Sequence, residues 1–255
     1  MANKNWTYDE TVIAFWTYCR IPFRSSSKTN PEVVRIAKLI GRTPDALNLK
    51  IGNIGRLDPN LAAQGITGLP HVAKMEEIVW NDFVNDPEKL AIESQKILAK
   101  LEGKTIEETS GIDIKNLPDG EERIAIVKQR IGQEFFRNAV LISYNNTCCI
   151  SGINAQSLVE ACHICDWAEN KKERTNPCNG LTLNPLFHKA YDKHLLGINP
   201  DYKIIIAEPF IACAKAEEFK NYLLSLQNQK ITLPERFLPS KDLLAVHFEK
   251  FLKAQ

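Results

Sequence analysis

No apolar run in the 255-residue chain approaches the ~18 residues that a membrane span needs. A secretory leader is not expected either, because Asp9 and Glu10 precede any apolar run of signal length. Charge of one sign is missing: 32 basic and 31 acidic residues leave +1, so net charge names no partner. Internal repeats and low-complexity tracts are absent. The seven cysteines are odd in number and irregularly spaced, and the adjacent Cys148 and Cys149 are poorly placed for two regular bridges. Reduced thiols in the cytoplasm are the simplest reading. What is present is ordinary for a soluble globular protein, with 44% hydrophobic and 25% charged residues. This excludes disordered, collagen-like and disulfide-scaffold classes, and the length allows one large domain or two modest ones.

The charge is unevenly spread. Residues 20–56 carry eight bases (Arg20, Arg24, Lys28, Arg35, Lys38, Arg42, Lys50, Arg56) against Glu32 and Asp45, whereas residues 75–122 carry thirteen acids against five bases. A basic front section either meets a polyanion or is a solvated helix face, and charge alone does not choose between these.

Thr7-Tyr8-Asp9-Glu10 reads as a capping box opening a helix with Val12, Ile13, Phe15, Trp16 and Cys19 at helical spacing. Asn30-Pro31-Glu32 opens a second helix that Gly41 stops, and Thr43-Pro44-Asp45 caps a third. The stretch LIGRTPDALNLKIGNI resembles the turn and last helix of helix-turn-helix or Myb-like modules. That resemblance would put Arg42, Asn48 and Lys50 near DNA; the alternative is a plain three-helix bundle with solubilising bases. Residues 57–85, with Gly65, Gly68 and Pro70, read as loops around one short helix. A helix from Asp86-Pro87 ends at Gly103, and the polar stretch 103–121 reads as a linker. The next helix is amphipathic, with Ile124, Val127, Ile131, Phe135 and Ala139 on one side and Lys128, Arg130 and Arg137 on another.

The most informative block runs from Cys148 to Ile198. TCCISGI reads as a tight knuckle, and SLVEACHI as a strand ending in His163. A polar loop leads to a second short strand, CNGLTL, and NPLFHKAYDKHLL is a helix from Pro185 bearing His188 and Asp192. The segments CCISG, ACHI, DWAE, CNGLTL and HKAYD resemble the HNH nuclease family in its restriction-type branch, whose core is the ββα-metal fold. About fifty residues carry this resemblance strongly, and the preceding helix carries it loosely.

The resemblance implies metal-dependent hydrolysis of a DNA phosphodiester, leaving a 5′-phosphate and a 3′-hydroxyl. It makes His163 the general base. His188 and Asp192, four apart on one helix face, would hold a divalent ion; His188 thus counts among the catalytic residues too. Asn179 ties the loop near the base and fixes the imidazole's aim. The position before the base, often Asp or His in the family, is Cys162, a poor partner for Mg²⁺ but acceptable to transition ions. Mg²⁺ is the leading expectation, with Mn²⁺, Ni²⁺ or Zn²⁺ as alternatives. A structural zinc is not expected, because Cys162-x-x-Cys165 has no second pair. His194 is taken as surface and His247 as structural. The tail holds a strand-like run, YKIIIAE, a helix over 214–226, and a last helix capped by Ser240.

The expected fold class is α+β, with a helical, helix-turn-helix-like DNA-recognition domain over 1–103, a linker over 104–121 and a nuclease domain over 122–255. DNA-binding residues are then Arg42, Asn48, Lys50, Lys128 and Arg137. The family suggests restriction or phage defence, with dependence on modified bases left open, since nothing in 1–103 identifies a base-flipping pocket. Double-strand cutting requires two protomers, and no membrane partner is expected. Two alternatives stay open: a non-catalytic DNA-binding protein with a structural ββα unit, and a nuclease acting on RNA.

Overall fold

A computed structural model describes residues 5–66, 74–113, 117–168 and 170–255 of the chain. Gly68 and Pro70, part of the 103–121 stretch and Glu169 of the DWAE segment lie outside the described residues. The chain divides into two units, Met1–Ile142 and Ser143–Gln255. The division falls later than the 104–121 stretch, and the amphipathic helix expected to begin the nuclease counts with the first unit. Helices and two small antiparallel sheets make up the whole, which is the expected α+β class. Among the described residues no helix is long and apolar enough to cross a membrane.

In the first unit, α1 (Tyr8–Arg20) is the central element. Val12, Ile13, Ala14 and Tyr18 are fully buried, as expected of a helix enclosed on nearly every side. Its polar positions are satisfied locally: Thr17 Oγ1 donates to the Ile13 carbonyl, and Thr7 and Glu10 form the expected capping box. Around it pack α3 (Pro44–Gly55), α5 (Lys74–Phe83) and α6 (Pro87–Glu102), with α2 (Pro31–Leu39) against α3. The short helix α4 (Pro59–Ala63) is capped by Asp58, whose Oδ2 accepts from the buried Tyr18 hydroxyl at 2.6 Å. The α2–α3 turn uses Gly41 at φ +68°, which a side chain would strain.

One expectation about this unit is corrected. The described residues of 57–85 hold two helices, α4 and α5, rather than one; Val79 and Phe83 are buried at an i, i+4 spacing and Trp80 stacks on Phe15 at 5.0 Å. Within the 103–121 stretch, Thr105 and Glu108 form a capping box on α7 (Ile106–Thr109), and Glu107 pairs with Arg123 at 2.9 Å. Arg123 lies on α8 (Glu121–Ser143), whose buried side carries Val127, Ile131, Phe135 and Ala139.

The uneven charge resolves within this unit. Lys50 is 5% exposed and its ammonium meets Glu76, itself 0% exposed, at 2.5 Å. Arg42 meets Glu10 at 2.7 Å and donates to the Asn5 carbonyl. Both cations lie over the Trp6 ring, 4.7 and 4.8 Å from its centre. Arg35 reaches Glu32 and Glu102, Arg20 reaches Glu32 and Glu134, and Lys28 reaches Asp45. The basic front section is thus neutralised largely by carboxylates of its own unit. Arg42 and Lys50, expected near DNA, are spent on internal pairs, and Asn48 accepts from Ser26 Oγ at 2.5 Å. The exposed positions of α3 are Asp45 and Leu49, neither of them cationic. Lys128 and Arg137 are exposed on α8, but nine residues place them about half a turn apart around the helix, so they form no common patch.

The second unit opens on the knuckle. Cys148 N–H donates to the Ile153 carbonyl, and Gly152, at φ +71°, donates back to Cys148. Cys149 N–H joins the knuckle to the Thr182 carbonyl of a hairpin formed by β1 (Glu160–His163) and β2 (Gly180–Leu183), with His163 opposite Gly180. Next comes α9 (Pro185–Asp192), capped by Asn184. A second hairpin pairs β3 (Leu196–Ile198), not foreseen, with β4 (Ile204–Ile206) in the expected strand-like run. The chain closes with α10 (Glu208–Cys213), α11 (Glu217–Leu226) and α12 (Lys241–Lys253), the last capped by Ser240. The helix expected over 214–226 begins only at Glu217. β3 and α12 meet where a Cβ on Gly197 would lie 2.8 Å from the Phe251 ring, so the approach requires glycine.

Removing Lys50 leaves Glu76 buried without its cation. Lys50→Ala is expected to cost about 3–5 kcal/mol of unfolding free energy in urea titrations. The paired Lys50→Met/Glu76→Leu change should cost much less. Equal losses would mean that the ion pair is not the cause.

Candidate active site

Three elements of the second unit build the site: the end of β1, the loop returning to β2, and α9. β1 delivers Glu160 and Cys162 to one face by its two-residue alternation, and His163 ends the strand. On α9, His188 and Asp192 follow each other by one turn, with His188 Nε2 3.7 Å from Asp192 Oδ2. Ligand atoms of Cys162, His188 and Asp192 all lie within 4.8 Å of one another.

This donor set fits a divalent ion. Nitrogen and carboxylate ligands sit at about 2.0–2.2 Å from such an ion, so two of them sharing it lie no more than about 4.4 Å apart. The 3.7 Å between His188 and Asp192 satisfies that limit. The thiol is buried, and burial chiefly, with Asp192 and other nearby acidic groups, pushes it well above the ordinary cysteine range. A bound cation favours the thiolate, the form in which cysteine serves as a ligand.

Glu160 was not anticipated from the sequence. Its Oε2 lies 2.6 Å from His188 Nδ1. A carboxylate oxygen accepts, so Nδ1 carries the hydrogen and Nε2, the nitrogen facing Asp192, presents its lone pair. Such a carboxylate–imidazole bond fixes both tautomer and ring orientation at metal sites. The available signal was parity: Glu160 stands two before Cys162 on a strand.

The base candidate is held just as specifically. His163 Nε2 lies 2.9 Å from the Arg174 carbonyl. Since a carbonyl can only accept, Nε2 is the protonated nitrogen and Nδ1 bears the lone pair. Trp167 meets the ring edge-on at 5.6 Å, and the Arg174 guanidinium lies over Trp167 and donates to its carbonyl at 2.6 Å. Burial pushes the imidazole below its ordinary value, with the Arg174 carbonyl and Asp166 opposing.

Asn179 is fully buried and spans the base of this loop. Its Oδ1 accepts from Cys165 N at 2.8 Å, and its Nδ2 donates to the carbonyls of Cys165 and Glu173, both at 3.1 Å. One amide thus joins the residues just after His163 to the residue just before Arg174. The Cys165 thiol meanwhile donates to the Leu243 carbonyl.

His163, His188 and Asp192 line one cleft of about 730 Å³. His194, taken as a surface residue, also lines it, half-buried, with its ring 5.0 Å from that of His247. His247 stacks on Tyr191 at 3.7 Å. The structure therefore gathers His163, Asn179, His188, Asp192 and Cys162 in one unit. Arg42, Asn48, Lys50, Lys128 and Arg137 belong to the other.

A family model described as HNH endonuclease matches residues 148–199, the segment holding the knuckle, β1, β2, α9 and β3. The match implies nuclease activity for that segment. No curated protein matches the chain.

Two outcomes follow from this geometry. Glu160→Ala should weaken Co²⁺ binding about 10–100-fold in calorimetric titration while the helix content is retained; undiminished affinity would mean that the Glu160 bond does not orient His188. The second concerns pH. Burial first, then His194 and Lys250, push His247 from its ordinary 6.5 down to about 4, against the opposing Tyr191 carbonyl. Between these values the unfolded chain binds a proton that the folded one refuses. Stability is therefore full above about pH 6.5 and falls as pH drops towards 4, by up to about 3 kcal/mol. His247→Phe should flatten that part of the urea-derived pH profile; an unaltered slope would exclude this histidine as its source.

Proposed function

We propose that the protein is a metal-dependent endonuclease that hydrolyses DNA phosphodiester bonds with the cleft of its second unit. One observation carries this reading. A histidine whose Nε2 is committed to a backbone carbonyl shares a cleft with His188 and Asp192, which together with the buried Cys162 form a group that fits a divalent ion.

Each residue has a definable task. His163 Nδ1 takes the proton of the attacking water, and the Arg174 carbonyl stabilises the imidazolium as it forms. The water oxygen bonds to phosphorus in line with the departing 3′ oxygen, and the P–O3′ bond breaks. Asn179 acts through the loop, holding the Arg174 carbonyl where the imidazole needs it. Cys162, His188 and Asp192 would hold a divalent ion, which would supply Lewis-acid stabilisation of the negative charge that develops in the reaction. Glu160 keeps His188 in its ligating tautomer.

The thiol bears on which ion is used. Sulfur favours softer ions, and a hard oxygen set favours Mg²⁺. Cys162 in the donor group therefore supports Mn²⁺, Co²⁺, Ni²⁺ or Zn²⁺ over Mg²⁺, the leading expectation from the sequence. The setting we infer is restriction or phage defence. One such unit cuts one strand, so cutting both strands calls for two copies.

The test compares His163→Ala with wild type on plasmid DNA and matched RNA in the presence of Mn²⁺, Ni²⁺ or Mg²⁺. Loss of general-base catalysis is expected to slow DNA cleavage by about 10²–10⁴-fold. Co²⁺ binding should survive, because the base is not a ligand. Cleavage as fast in the variant as in wild type would overturn the base assignment. Cleavage of RNA alone would overturn the choice of substrate.

A further inference from the structure

The cleft has a second wall, and it is basic. Lys189 and Lys193, from α9 and the residue after it, line the cleft together with Lys250 and Lys253 of α12. Among the described residues, the carboxylates on the lining are Asp166 and Asp192, and Asp192 belongs to the candidate metal-binding group. Among the described residues, Lys189, Lys193 and Lys253 have no carboxylate partner. The first unit behaves differently, with many of its cations, from Arg20 to Arg123, paired. A lysine in the last turn of a helix is favoured by the helix dipole alone. The dipole does not explain why two helix ends converge on one cleft beside a base and a metal-binding group.

The wall is also held in place. Tyr191 and His247 stack α9 on α12 at 3.7 Å, and Phe251 packs on Gly197. Gln255 Nε2, just past α12, donates to the His194 carbonyl at 3.1 Å, which pins the chain end against the end of α9. The family match stops at residue 199, so α12 adds to the site from outside the matched segment.

We propose that Lys250 and Lys253, with Lys189 and Lys193, bind the phosphodiester backbone of duplex DNA beside the bond to be cut. This rests on the reading of the cleft as an endonuclease site. Ammonium groups serve here as point charges along a polyanion, and their contacts are independent of base sequence. Each phosphate neutralised releases bound counterions, which gives the proposal a readout separate from catalysis.

That readout is the salt dependence of DNA binding by the full chain, measured without divalent ion by fluorescence anisotropy on a short duplex. Each lost contact should flatten the slope of log K against log salt by about 0.9. Lys250→Gln/Lys253→Gln should flatten it by about 2 and weaken binding at low salt. Lys253→Gln alone removes an exposed side chain, spares the fold, and should flatten the slope by about 1. Lys203→Gln/Lys230→Gln removes the same charge elsewhere in the unit and should leave the slope unchanged. An unchanged slope in the α12 variants, or an equal fall in the control pair, would overturn the proposal. So would flattening on duplex RNA alone. If the α12 variants bind like wild type while His163→Ala still abolishes cutting, this proposal fails and the nuclease reading stands. If wild type neither binds nor cuts DNA, both fail.

Discussion

The geometry of the cleft depends on one buried side-chain amide. Asn179 accepts from the Cys165 N–H and donates to two carbonyls, one at each end of the loop between β1 and β2. An amide with neither solvent nor these partners would cost roughly 1–3 kcal/mol, so the loop and the side chain specify each other. The consequence reaches the imidazole. Arg174, whose carbonyl sets the tautomer of His163, follows Glu173 directly, and Glu173 is one of the residues that Asn179 holds. A buried amide thereby bears on which nitrogen of His163, the base in the proposed reaction, carries the lone pair.

The same logic recurs on the metal side. Glu160 imposes on His188 what the Arg174 carbonyl imposes on His163: one ring nitrogen is given an acceptor and so carries the hydrogen, which leaves the lone pair on the other. The two histidines are set in opposite senses, His163 through Nε2 and His188 through Nδ1. In the proposed reaction this difference lets one imidazole take a proton and the other hold an ion without either adopting the other's role.

Much of this was legible in the sequence because it was local. Caps announced themselves: Thr7, Asn30, Thr43, Asp86 and Ser240 all sit at helix starts with their side chains accepting backbone N–H groups. The pairing of β1 with β2 and the i, i+4 placement of His188 and Asp192 also follow from short-range pattern. What was missed was short or non-local. β3 has three residues, too few for periodicity, although Asn199-Pro200-Asp201 offered a turn signal. α5 presents only Val79 and Phe83 as a clear buried pair, and the neighbouring glycines and proline outweighed it. The internal pairing of Arg42 and Lys50 was missed for a different reason. A run of bases is a feature of chain order, whereas ion pairs form between distant positions. Lys50 and Glu76 are 26 positions apart, and Arg42 and Glu10 are 32 apart.

That distinction also decides where a polyanion is to be met. A lysine already paired with a buried carboxylate gains little from a phosphate, because it must first give up a partner and leave that carboxylate unpaired in a poorly solvated site. A lysine whose ammonium is in water with no carboxylate beside it loses only small ions when a phosphate arrives, and their release is itself favourable. By this criterion Arg42 and Lys50 have little to gain from a phosphate. The second unit holds Lys189, Lys193 and Lys253, none with a carboxylate partner among the described residues, along the cleft that contains the base and the metal-binding group. Recognition of the backbone and the chemistry performed on it then fall within a single unit, and α12, which no motif in the sequence singles out, acquires a reason to end in lysines.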